Sequence, residues 1–173
     1  MEPILYTGQD AFKRMMGSAR RWTMDAVPVR MEADLTSESN GQGGKSAVWR
    51  AYIASPGRGR VKTFVCSGSR LANAPPSGVS SKSIDTPLTQ EFASMVFDPL
   101  YLKIDSDKAY SEALDHGGKA LLKKNPQQPV TYALEWNAKD RVLIWYVIFG
   151  AKREGAKGMG AVNASTGKLI WAK

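Results

Sequence analysis

Few residues in this chain could carry chemistry, and the most suggestive stand together between Ser39 and Trp49. There Gly44-Lys45-Ser46, with Gly41 and Gly43 ahead of it, ends like a phosphate-binding loop. Such a loop needs a further glycine where this chain has Ser39, a strand before it and a helix after it, because free N–H groups at the helix start hold the phosphates. The next residues, AVWRAYIA, are β-branched and aromatic and are closed by Ser55-Pro56, so they read as a strand. The glycines are therefore expected to form a flexible connection between two antiparallel strands, with no nucleotide site. His116 is the only histidine, which excludes multi-histidine metal centres and leaves one candidate general base, beside two glycines on a charged helix. The single Cys66 excludes an internal disulfide and ends an apolar strand, as a buried, inert thiol would. Asp98, Asp105 and Asp107 could suggest calcium, but a helix start capped by Ser106 accounts for the last two more simply. Asn163-Ala164-Ser165 has the form of a glycosylation acceptor and equally that of a turn. No catalytic, cofactor-binding or metal-binding residue is assigned, and the expectation is a protein that is not an enzyme.

The elements that would position a site are clearer. The 173 residues are 43% hydrophobic and 23% charged, ordinary for a globular protein, and no apolar run is long enough to span a bilayer. The net charge of +8 is spread as +5 over residues 1–86 and +3 over 87–173, densest at Arg58, Arg60 and Lys62. That spread favours a solvated basic surface over a nucleic-acid footprint, and no nucleic-acid partner is assigned. Residues 10–26 place Phe12, Met15, Met16, Ala19 and Trp22 at helical spacing. Val27, Val29, Met31, Ala33 and Leu35 then alternate with polar residues as a strand does, and AVWRAYIA and RVKTFVCS are two more strands. The second half repeats this order. A helix from Asp107 to Lys124 stops before Asn125-Pro126, with Gly117 and Gly118 implying close approach of the sheet or a kink. PVTYALEW, RVLIWYVIFG, KGMGAVNA and the short KLIWA read as strands.

The halves correspond piece by piece, Trp49 standing where Trp145 stands, so the expected fold is α+β: two tandem helix-plus-antiparallel-sheet units. The expected division is 1–67 for the first repeat, 68–103 for a linker and packing segment, and 104–173 for the second repeat. The linker begins Ser-, Gly- and Pro-rich and exposed, and ends in TPLTQEFASMVFDPLYLKI, which is expected to pack against one sheet. The strand Val142–Phe149 is apolar on both faces, and one helix covers only one of them. The other face must meet the sister half, the 87–104 segment, a second subunit or a ligand. Trp49, Tyr52, Tyr132, Trp136, Trp145 and Tyr146 are the candidate binding surface.

Residues 104–172 resemble the PepSY domain. The resemblance rests on Asp105-Ser106-Asp107-Lys108-Ala109 opening a helix, Ala113 within it and Gly117-Gly118 toward its end. It continues with Tyr132 and Leu134 in the first strand, Trp145-Tyr-Val in the second and Val162-Asn163-Ala164-Ser165-Thr166-Gly167-Lys168 at the last turn. Asn163 stands where the family usually has aspartate. The first half is similar to a more divergent copy without the Thr-Gly ending. The resemblance implies a cystatin-like shape, no catalytic residues, and an exported bacterial protein, periplasmic or secreted, that binds a protein or peptide partner and could restrain a peptidase. MEPILYTGQD has no leader pattern, so that address implies a leader outside this sequence. The alternative function is a carrier of a small apolar ligand in a helix–sheet pocket.

Overall fold

Helix formation begins where Thr7, extended and unable to continue a helix backward, turns its Oγ1 to accept from Asp10 N–H at 3.3 Å. The structure, a computed structural model, describes residues 1–173. The two-residue strand β1 (Tyr6–Thr7) leads into α1 (Gly8–Trp22), with Asp10 in its first turn and Arg20 and Arg21 in its last, as the helix dipole favours. One face of α1 buries Ala11, Phe12, Met15, Met16 and Ala19. Strand β2 (Val27–Asp34), the short β3 (Lys45–Ser46), β4 (Val48–Ser55) and β5 (Arg60–Ser67) come after it. Next are β6 (Gly78–Ser81), β7 (Thr86–Pro87) and the short helix α2 (Gln90–Met95). The second half supplies α3 (Ser106–Ala113), α4 (Lys119–Lys124), β8 (Thr131–Asn137), β9 (Val142–Ile148), β10 (Met159–Asn163) and β11 (Leu169–Ala172).

The fold is α+β, built on one large antiparallel sheet ordered β11-β10-β9-β8-β2-β4-β5-β6, with β7 also paired to β5. The first strands of the two halves meet, Arg30 opposite Glu135 and Glu32 opposite Ala133. Reading outward from this seam, each half lays down its strands in chain order. Helices α1 and α3 lie on the same face, and one core runs beneath both.

Three local expectations are corrected. The alternation in β2 breaks at Val29, where a bulge shifts the register between Pro28 and Arg30. Met31 therefore faces the helices, while Val29 packs with Ala54 and Val61 on the opposite face. The serine-rich stretch after Ser67 is not merely a linker, since Val79 to Ser81 pair with Phe64 to Cys66 and extend the sheet. The helix start at residue 106 is capped by Asp105 and not by Ser106. Asp105 Oδ1 accepts from Ser106 N–H at 2.7 Å and also from Gln9 N–H of α1 at 2.9 Å, so one carboxylate serves the positive ends of two helices.

The paired glycines in the second-half helix do two different things. Gly117, with φ +112°, breaks the regular backbone into a wide turn over residues 114–118 between α3 and α4. Gly118 keeps a helical backbone, but a Cβ there would stand 2.6 Å from Phe149 Cζ. One glycine makes the kink and the other admits the sheet.

Candidate binding groove at the sheet seam

Trp49, Tyr132 and Trp145 cannot form a surface, because all three are enclosed at the centre of the core. Trp49 stacks on Tyr132 with ring centroids 5.9 Å apart and meets Trp145 edge-on at 6.1 Å. Each indole N–H has the same kind of partner. Trp49 donates to the Tyr6 carbonyl at 2.9 Å and Trp145 to the Ile104 carbonyl at 2.8 Å, each acceptor two residues before its helix begins. Alternation and aromatic content identify such residues without saying which side of a doubly apolar strand the helices take. Of the six candidates, Tyr52, Trp136 and Tyr146 keep partial exposure. Trp136 lies on the helix side against Tyr101, 4.9 Å away, so only Tyr52 and Tyr146 point from the opposite face.

That opposite face is covered at both ends and open between. Over the first half, Phe92 of α2 stacks on Tyr52 at 6.0 Å, with Leu88, Met95 and Val96 around it. Over the second half, Tyr146 lies between Trp171, 6.1 Å away, and the Arg153 guanidinium, 4.4 Å above its ring. Arg153 reaches there from the β9–β10 loop and also pairs with Glu135 at the seam. Trp171 and Arg153 of the loop thus cover Tyr146 on the face of β9 away from the helices. Burial raises the Tyr146 phenol above its ordinary value, and Glu135 adds to this.

Between these covers the seam opens. Pairing of β2 with β8 stops at Glu32–Ala133, although β2 continues to Asp34 and β8 begins at Thr131. A groove of about 800 Å³ occupies the splay. Arg30, Glu32 and Asp34 line one side, Thr131, Ala133 and Ile148 the other, and Ala151 to Glu154 of the β9–β10 loop form a rim. Ala33 and Tyr132 also border it; their side chains belong to the core, so their main chain forms the floor. The ionised walls are neutralised in pairs: Arg30 with Glu32 at 2.8 Å, and Asp34 with Arg50, just outside, at 2.6 Å. Arg30 Nε is shielded from solvent without a hydrogen-bond partner. None of these charged residues was singled out from the sequence. In a strand pattern they read as the solvated face, and only the splay of β2 from β8 makes them walls.

The glycine stretch is a closely packed connection between β2 and β4. Gly41 and Gly44 have φ near +80°; a Cβ on Gly41 would lie 1.8 Å from the Val130 carbonyl oxygen, and one on Gly44 would lie 2.3 Å from Asp107 Cα. Tyr132 Oη donates to the Gly41 carbonyl at 2.6 Å and accepts from Gly44 N–H at 2.9 Å. Ser106 Oγ, displaced from capping, donates to the Gly44 carbonyl and accepts from Gly8 N–H at 2.8 Å. The loop locks one half to the other.

None of the other reactive groups lines the groove. Cys66 is buried, and desolvation pushes its thiol up to about 11. His116 is half-exposed with Nδ1 2.9 Å from the Glu112 carbonyl oxygen, beside a small opening of about 220 Å³ under Gly118, Phe149 and Leu121. Asp98 accepts from Leu100 N–H and Asp107 from Lys108 N–H. Asn163 Oδ1 accepts from Ser165 and Thr166 N–H, folding the last turn with Gly167 at φ +79°.

No family model matches the sequence, and no curated protein does either. A crystal structure from Clostridium difficile, described as a "putative lipoprotein", has a similar fold: TM-score 0.57 and 9% identity over 94% of this chain and 91% of that one. The likeness is one of fold. No helix here is long and apolar enough to cross a membrane.

Proposed function

We propose that this is a non-enzymatic, exported binding protein of two PepSY-like units, which holds a protein or peptide partner in the groove at the β2–β8 seam. The observation that carries this reading is the composition of the groove: three cationic side chains, three anionic ones and exposed main chain over about 800 Å³. A polypeptide offers the same mixture of both charges and amide groups, whereas an apolar ligand would desolvate these ion pairs and give nothing to their remaining hydrogen-bonding groups. The carrier alternative has less room. Between helices and sheet the space is filled by Trp49, Trp145, Tyr132, Met15 and Met16, and the opening by Gly118 is about 220 Å³. An extracytoplasmic address is supported by the structural neighbour described as a lipoprotein and by the resemblance to exported proteins. A peptidase restrained through such a groove is the partner that the resemblance favours.

The reading is tested by panning random displayed peptides against the whole protein and a K152E/E154K variant. That exchange reverses the charge pattern of the rim and leaves the net charge unchanged. Selected peptides should bind the wild type and lose about ten-fold in affinity on the variant. Peptides that bind both equally, or the absence of any selected sequence, would defeat it. Native mass spectrometry showing a retained lipid-sized molecule would instead favour the carrier.

A further inference from the structure

Beyond the groove, at the far end of β2, two turns are fastened together by one carboxylate. Asp25 accepts from Ser55 Oγ at 2.7 Å, from Thr23 Oγ1 at 2.6 Å and from Gly57 N–H at 2.7 Å. A Cβ on Gly57 would stand 2.9 Å from Asp25 Oδ2, so the β4–β5 turn lies flush against the α1–β2 turn. On this base sit Arg58 and Lys62, 5.8 Å and 5.3 Å from the Trp22 ring, with Arg20 and Arg21 on the adjoining last turn of α1. None of these four cations has a carboxylate within salt-bridge distance, whereas nearby Arg60 is neutralised by Asp85 at 3.3 Å. Met24 projects from the same base, 99% exposed.

We propose that this end of the molecule docks on the surface of a bilayer containing anionic lipid. Each cation near such a leaflet raises partitioning roughly five-fold. Arg58 and Lys62 lie here beside Trp22, with Arg20 and Arg21 on the last turn of α1, and the Asp25 carboxylate already holds three donors. An indole belongs at headgroup depth, and Met24 supplies an apolar side chain that can enter the acyl boundary. A nucleic acid fits the surface less well. A polyanion would leave the apolar Met24 side chain, 99% exposed, in water. Docked this way, the protein would hold the middle of its groove, near Glu32, roughly 17 Å from the start of β2.

The test is co-sedimentation of the whole protein with vesicles of phosphatidylcholine alone and of phosphatidylcholine mixed equally with phosphatidylglycerol. The mixed vesicles should retain the protein at low salt and the neutral ones should not. R58E/K62E should weaken retention at least about twenty-fold, while K124E/K157E, equal in net charge and at the opposite end of the sheet, should not. R20Q/R21Q should also weaken it, which keeps the test decisive if the first variant fails to fold by circular dichroism. M24S should weaken it at unchanged charge. Equal retention by both kinds of vesicle, no retention, or equal loss in the remote variant would overturn the proposal. So would capture by oligo-thymidine without capture by vesicles, which would assign the patch to nucleic acid.

Discussion

The Asp25 carboxylate accepts three hydrogen bonds although it is not enclosed, and this sets how it must titrate. Ser55 contributes most to holding its pKa down to about 2, with Thr23 and Gly57 adding, against an ordinary value of 3.8. A folded-state value below the unfolded one favours the native state while the group is ionised. The contribution is therefore present above pH 3.8 and lost as the pH falls from there through about 2. Asp25→Asn removes the charge and keeps one acceptor. The stability difference between wild type and variant, measured by urea unfolding, should shrink as the pH falls from 5 toward 2. A difference that stays constant over that range would mean that Asp25 is not held ionised by Ser55, Thr23 and Gly57.

At the level of elements, the connection between β2 and β4 shows best what glycine spacing means here. Gly44 touches the start of α3 through its own backbone, at positive φ, whereas Gly43 has nearly the same φ, +79°, and open space around it. Gly43→Ala should cost roughly 1–2 kcal/mol from the left-handed backbone alone, and Gly44→Ala roughly 2–5 kcal/mol because overpacking adds to it. Equal losses in urea unfolding would contradict the locking role of the loop. Nothing in the sequence separates these two glycines, since the partner of Gly44 lies 62 residues away at Ser106. The legible part is local. The amphipathic helix of residues 10–26, the strand around Trp49 and the strand around Trp145 are marked by period and by β-branched and aromatic content. The illegible part depends on contacts across the chain: the Val29 bulge, the pairing of residues 79–81 with β5, and the burial of Trp49, Tyr132 and Trp145. The groove is the extreme case. Arg30, Glu32 and Asp34 belong to the polar half of an ordinary alternation, and they become walls only because β8 stops pairing where it does.

For the molecule as a whole, the two halves expected from the sequence need not be two folding units. The core argues for one. Trp49 of the first half rests on Tyr132 and Trp145 of the second, Gly8 of α1 is held by Ser106 of α3, and Tyr132 ties down the loop before β4. A Cβ on Gly8 would stand 2.4 Å from Trp145 Cη2 and 3.1 Å from Trp49 Cη2, so the start of α1 is fitted to both tryptophans at once. Trp145→Ala should therefore cost roughly 3–5 kcal/mol, but not from the second half alone. The cavity would open against Trp49, and the indole bond to Ile104 would be lost together with support for α1. Unfolding in urea should remain one transition, coincident by tryptophan fluorescence and far-ultraviolet circular dichroism, with its midpoint lowered and its slope unchanged. Two resolved transitions, with half of the secondary structure surviving the first, would show that the seam joins independent units and that the shared aromatic centre contributes little to either.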